Sequence, residues 1–168
     1  MTNPNLLLDP RQTLQKIKRI AYEICEHNLA EQSIVLAGIY DEGYFLAKML
    51  ETELQAIAPF QVVLLKITLD KTAQTQPQVT LDQPALDFND KVVIICDDVL
   101  NSGRTLMYAT QPFVAQHCKK LQIAVLVERS HRRFPIRADY VGYALATTLQ
   151  EHVTVNLHTP YSMGAYLN

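Results

Sequence analysis

Two adjacent carboxylates, Asp97 and Asp98, follow the β-branched run Val92-Val93-Ile94-Ile95-Cys96, and a Ser102-Gly103-Arg104-Thr105 turn comes shortly after them. Acids at the carboxyl edge of a buried strand can accept hydrogen bonds from paired hydroxyls or face a hydrated Mg²⁺. Gly103 allows close backbone approach, and the N–H groups of Ser102 to Thr105 at the start of a predicted helix favour a phosphate. The Ser102 and Thr105 hydroxyls add two donors. Vicinal hydroxyls beside a phosphate describe a ribose 5-phosphate. The plainer alternative has Asp98 or Ser102 capping the helix and Asp97 solvated at a strand end. One acid before a helix would favour that alternative. Two acids, the turn chemistry and the strand–loop–helix order together favour the sugar phosphate.

The elements that must position these residues read as alternating helices and strands. Asp9-Pro10-Arg11-Gln12 has the form of a capping box with proline at the first helical position, and Leu14, Ile17, Ala21, Ile24 and Cys25 repeat at helical spacing to about Asn28. Residues 33–39 form a continuous apolar run of strand length. A turn at Tyr40-Asp41-Glu42-Gly43 leads to a predicted helix from Tyr44 to about Leu54. Strands are predicted over 60–69, 91–96, 122–127, 140–143 and 153–157, and a helix from Thr105 to about His117. Between Asp70 and Asp90 the pattern stops, with two prolines, four Asp and one Lys. That stretch reads as a loop over the site with a short strand at Val79–Leu81. The order specifies an α/β fold with a mainly parallel central sheet, whose ligand crevice lies beyond the strands' carboxyl ends.

At 168 residues and 48% hydrophobic content, the chain is expected to form a single domain over 1–168. Its 15 Lys and Arg against 17 Asp and Glu argue against a uniformly basic coat for nonspecific nucleic-acid binding. No apolar run approaches a membrane span, and the N-terminus lacks the pattern of a signal peptide. Cys25, Cys96 and Cys118 form no metal-ligating cluster. A cytoplasmic protein with reduced cysteines and no membrane contact is expected.

The run from Val92 to Thr105 resembles the phosphoribosyl-diphosphate (PRPP) signature of the type I phosphoribosyltransferases: a hydrophobic strand, two acids, two apolar residues, then a hydroxyl–Gly–basic–Thr turn. The stretch Leu126-Val127-Glu128-Arg129-Ser130-His131-Arg132-Arg133-Phe134-Pro135-Ile136-Arg137-Ala138-Asp139-Tyr140-Val141-Gly142 is similar to the subfamily of bifunctional pyrimidine operon attenuation regulators and uracil phosphoribosyltransferases. The likeness runs from the first helix to about Leu157 and is weakest between Asp70 and Asp90. It implies a small hood region beside the sheet and, with Mg²⁺ as cofactor, the reaction of uracil and PRPP to UMP and diphosphate. Asp97 and Asp98 would bind the ribose 2- and 3-hydroxyls, directly or with Mg²⁺ through water or PRPP. Asn101, Ser102, Gly103, Arg104 and Thr105 would hold the 5-phosphate, and Tyr40, Asp41, Glu42 and Gly43 would form the diphosphate loop. Arg137 would approach a base carbonyl, Tyr140 would stack on the ring, and Val141 backbone would read its edge. By its own chemistry Tyr140–Val141 would pass for ordinary strand core. A homodimer or higher homo-oligomer is the family's usual state.

Three departures from the family pattern shape the alternatives. Asp41 and Glu42 stand where related enzymes offer a cation, so they either repel a diphosphate unless Mg²⁺ intervenes or turn to solvent or the helix cap. The 70–90 arm has Lys71 as its one cation, and Asn101 replaces the acid of purine-type enzymes. Meanwhile Arg129, Arg132, Arg133 and Arg137 cluster with His131 and no acid. That segment fits phosphate contacts to RNA, with His131, Arg132 and Arg133 as the named candidates, or is a solvated hairpin. Lys16, Lys18 and Arg19 extend it only if the fold brings them near. Two functions therefore stand: the enzyme, and a catalytically weak nucleotide-sensing regulator of pyrimidine genes that binds RNA.

Overall fold

The computed structural model describes residues 5–168. In chain order the strands are β1 (Leu6–Leu8), β2 (Ser33–Ile39), β3 (Gln61–Thr68), β4 (Thr80–Leu81), β5 (Val92–Leu100), β6 (Lys120–Arg129), β7 (Tyr140–Leu145), β8 (Val153–Asn156) and β9 (Gly164–Leu167). The helices are α1 (Pro10–His27), α2 (Glu42–Ile57), α3 (Arg104–Ala109) and α4 (Gln111–Val114). Six strands form the main sheet in the order β4-β3-β2-β5-β6-β7, parallel except for β4. β1, β9 and β8 form a separate antiparallel sheet.

The continuous apolar runs follow from covering both sheet faces. On one face Ile17, Ile20 and Ile24 of α1 and Leu46, Leu50 and Leu54 of α2 pack against Leu36, Ile94 and Leu126. On the other, Phe88, Leu106 and Phe113 pack against Val35, Ile95 and Val125. The capping box predicted at Asp9 is formed, with Gln12 N–H donating to Asp9 Oδ1 at 2.7 Å and Asp9 N–H to Gln12 Oε1 at 3.0 Å.

β3 lies on one side of β2 and β5 on the other, so the chain reverses its direction across the sheet between β2 and β5. The loops leaving their carboxyl ends diverge there and open a crevice. The Tyr40–Gly43 turn and the Asp97–Thr105 stretch meet at this point. Gly43 makes the meeting possible, because a Cβ at that position would lie 2.6 Å from the Cys96 carbonyl oxygen and 2.8 Å from Asp97 Cα.

Three expectations are corrected. The helix expected from Thr105 to His117 is two short helices, because Pro112 has no N–H to donate to the Tyr108 carbonyl and its ring crowds that turn. β5 does not stop at Cys96: the ladder to β6 carries on through Asp97↔Val125, Val99↔Val127 and Leu100↔Glu128. The 70–90 stretch has its expected short strand, as β4, but it does not lie over the site as a loop throughout. Phe88 is fully buried with its ring edge-on to Phe113 at 4.9 Å, and burying a side chain of that size is worth about 1.5–3 kcal/mol. Asp82 further accepts from Lys66 N–H at 2.8 Å, so only the part before β4 lies over the crevice.

Candidate active site

Asp97 is 3% exposed, walled in by Gly43, while the Asp98 side chain retains 21% exposure. Lys71 reaches both from the loop after β3, its Nζ at 3.3 Å from Asp97 Oδ1 and 3.9 Å from Asp98 Oδ1. Burial and the like charge of Asp98 push the Asp97 carboxyl up to about 8, against the opposing pull of Lys71. Burial disfavours the Lys71 ammonium, but Asp97, Asp98 and Asp41 outweigh it and its pKa is raised. The one cation of the arm is thus parked on the acid pair.

The turn after β5 is built for close backbone approach. Gly103 has φ +86°, the left-handed region that glycine occupies at little cost, and it leads directly into α3. The turn is braced from behind, since Arg133 N–H and Phe134 N–H both donate to the Ser102 carbonyl at 2.8 and 3.0 Å. Asp97, Asn101, Ser102, Gly103, Arg104 and Thr105 share a small hollow of 40 Å³. Arg104 stacks over the Tyr108 ring at 5.5 Å and donates to the Gln74 carbonyl, and Gln76 bonds Gln111 at 2.6 Å. The arm is therefore fastened to Arg104 and to α4 as well as to the acids.

The two acids of the first loop have different fates. Glu42 turns away from the crevice and grips the chain after β8, accepting from Leu157 N–H at 2.7 Å and pairing with His158 Nδ1. Asp41 stays exposed at the head of α2 with no side-chain capping bond. Tyr40, joined to Asp41 by a cis peptide, is half-exposed beneath Lys66, whose Nζ lies 5.8 Å from its ring.

A second hollow of 470 Å³ opens beside β7, lined by Glu128, Arg132, Arg137, Ala138, Asp139 and Val141. Arg137 and Val141 are thus together, as expected. Tyr140 is not with them. It is fully buried on the α1 face, its ring 5.7 Å from His27 and its hydroxyl donating to Gln122 Oε1 at 2.9 Å, so it offers no face to a base. Burial pushes its hydroxyl up to about 12. The Val141 carbonyl already accepts from Arg19 of α1 at 2.9 Å, and the Gly142 carbonyl from the same nitrogen at 2.8 Å.

The basic segment also divides. Arg132, Arg133 and Arg137 are exposed, but Arg129 is 4% exposed, its guanidinium spent on protein acceptors, and it leaves the set of candidate phosphate contacts. His131 Nε2 lies 2.6 Å from the Thr147 carbonyl, so the imidazole is likewise engaged internally. Lys71 on the acids and the Glu42 latch are contacts between distant segments, and Glu128 is added to the hollow beside β7. Glu128 and Arg129 left a local trace, two charges continuing the apolar run of β6.

A family description of the phosphoribosyl transferase domain matches residues 5–157. The chain belongs to that family. It is 39% identical over 168 residues to the bifunctional protein PyrR of Bacillus pumilus (strain SAFR-032), covering 94% of this chain and 93% of that protein. Solved structures share the fold at lower identity. One, an asparagine mutant from an analysis of an invariant aspartic acid in HPRTs, superposes with a TM-score of 0.82 at 18% identity, over 98% of this chain and 92% of that one. A Trypanosoma cruzi hypoxanthine phosphoribosyl transferase gives 0.76 at 18% identity, over 88% and 82%. The type I phosphoribosyltransferase fold anticipated from the PRPP-like run is thus the fold of this chain, and it is a phosphoribosyltransferase-family protein. Among the described residues no helix is long and apolar enough to cross a membrane.

Proposed function

We propose that the protein transfers the phosphoribosyl group of PRPP to uracil, giving UMP and diphosphate. The observation that carries this reading is the meeting, at the β2/β5 switch point, of the Asp97–Asp98 pair with the left-handed Gly103 turn. In that reading the carboxylates take the 2- and 3-hydroxyls, residues 101–105 take the 5-phosphate, and the head of α2 at Tyr40–Gly43 faces the diphosphate. Holding the ribose at both ends fixes C1 between base and leaving group, so the chain contributes mainly positioning. The base enters the hollow between Arg137 and the Val141 main chain, without Tyr140. With Glu42 latched to Leu157, Asp41 alone remains to oppose a diphosphate.

The residues fit Mg²⁺. A cation, Lys71 Nζ, already lies against both carboxylates, and among the described residues no three His, Cys, Asp or Glu side chains form a closed metal cage. Mg²⁺ suits such a partial site, taking one or two carboxylates and completing its shell with water and PRPP oxygens. When bound it would neutralise charge on the departing diphosphate. Lys71 must leave the acids for the hydroxyls or the ion to reach them.

The expected result is formation of labelled UMP from radiolabelled uracil, PRPP and Mg²⁺. Its rate falls on the order of 10²–10³-fold in Asp97→Asn plus Asp98→Asn. Wild-type UMP at background, or an unchanged rate in the double variant, removes the reading.

A second reading, a catalytically weak regulator of pyrimidine genes that senses nucleotide and binds RNA, is favoured by one observation. Arg132, Arg133 and Arg137 stand exposed beside the candidate site, while the arm's only cation is bound to the acids. The relative's designation as bifunctional accords with both activities in one chain. We further propose a cytoplasmic homodimer or higher homo-oligomer. The three free cysteines are in keeping with a reducing compartment, and light scattering after size exclusion tests the assembly.

A further inference from the structure

Arg129 ends β6 as a buried cation whose hydrogen-bond acceptors are all neutral. Its Nε donates to Thr147 Oγ1 at 2.8 Å, Nη1 to Asn101 Oδ1 at 2.6 Å, and Nη2 to the carbonyls of Thr148 and Glu151 at 3.1 and 2.6 Å. A guanidinium has donors and no acceptor, so it fixes which end of the Asn101 amide faces it. The oxygen must point to Arg129, because an amide nitrogen there would set donor against donor. The amide is planar, and its nitrogen is the end left over. That nitrogen has no hydrogen bond among the described residues, and Asn101 is exposed on the 40 Å³ hollow with Ser102, Gly103 and Thr105.

We propose that Arg129 is a positioning residue: it orients the Asn101 side chain so that its amide nitrogen serves as a donor to the ligand's 5-phosphate. The inference rests on the phosphoribosyl reading above and adds a side chain that never touches ligand. It also ties phosphate affinity to residues 147–151, which the same guanidinium holds. The geometry separates two things a simple deletion would confuse. Asn101→Asp keeps an acceptor for Arg129, now charged, while replacing the free donor with a second oxygen. Asn101→Ala loses both.

The test compares UMP with uridine, which lacks the phosphate, by isothermal titration at a temperature where each variant is folded. Asn101→Asp is expected to melt no lower than wild type yet bind UMP roughly tenfold or more weakly, with uridine affinity unchanged. Arg129→Met is expected to lose a similar factor for UMP and nothing for uridine. The pair Arg129→Met plus Asn101→Ala should bind UMP no worse than the weaker single variant, since both remove one contact. Arg129→Lys, which can still reach Asn101, should recover part of the loss. If Arg129→Met fails to fold, the two Asn101 variants decide the matter. Unchanged UMP affinity in both overturns the proposal, as does equal weakening of UMP and uridine in Arg129→Met. A wild type that binds neither UMP nor PRPP instead overturns the phosphoribosyl reading and takes this proposal with it.

Discussion

Asp97 sits in a place that opposes its own charge. It is enclosed by Gly43, neighbours Asp98, and has Lys71 as its counter-ion at 3.3 Å. Its folded-state pKa of about 8 lies above the ordinary value of 3.8, so the folded protein binds this proton more tightly than the unfolded chain does. The resulting stabilisation is complete below the ordinary carboxylate range and is lost as pH rises toward about 8. Thermal midpoints of the ligand-free protein should accordingly fall between pH 5 and pH 8, and Asp97→Asn should flatten that fall. An identical slope in the variant would remove Asp97 as its source. Tyr140 carries the opposite lesson for reading residues one at a time. Side chains alternate along a strand, so Tyr140 and Val141 take opposite faces of β7, and pairing with Ala124 sends Tyr140 under α1. The run Tyr140-Val141-Gly142-Tyr143 has aromatic or apolar residues in both registers, and only the placement of α1 decides between them.

At the scale of elements, what is local was legible. The Asp9 cap, the 33–39 strand and the β-branched centre of β5 each depend on neighbours in sequence, and they formed close to where the residue pattern put them. The Asp97–Thr105 arrangement was legible for the same reason. The braces behind it were not, since Ser102 meets Phe134, and Glu42 meets Leu157, only after the sheet has assembled. Two substitutions probe these joints. Gly103→Ala places an L-residue at φ +86°, costing about 1–2 kcal/mol, and sets its Cβ 3.1 Å from Ile136 Cβ. Its urea midpoint and PRPP affinity should both drop, and retention of either would show that the turn relaxes freely. Glu42→Ala strips the Leu157 N–H of its acceptor and should cost about 1–3 kcal/mol in urea unfolding. Glu42→Gln, which still offers an oxygen, should cost less, and equal losses would argue against the latch.

At the scale of the whole molecule, the proposed sugar-phosphate contacts and the proposed RNA contacts draw on adjoining parts of the surface. On the proposed reading the sugar phosphate falls to residues 101–105, whereas the exposed cations Arg132 and Arg137 line the hollow beside β7 and Arg133 stands between the two, lining a hollow with Asn101 and Ser102. If these cations bind a pyrimidine-operon leader RNA, filter-binding affinity should fall steeply with salt. Arg132→Ala and Arg133→Ala should each lower the slope of log affinity against log salt by about one. Arg129→Lys should leave the slope alone, because Arg129 is buried and turned inward. A salt-insensitive titration would dispose of RNA binding without touching the enzymatic reading.

The segment from Arg129 to Arg137 does more than border the base-side hollow. Its main chain at Arg133 and Phe134 clasps the Ser102 carbonyl, and Ile136 stands against Gly103. On the proposed reading, base selectivity and sugar-phosphate geometry therefore share one stretch of chain. A graft that imports this segment from a relative with a different base preference would succeed only if it brought the same two N–H donors at the same height. Exchange of single side chains at Arg137 or Glu128 is the safer route to a new specificity, because it leaves the clasp in place.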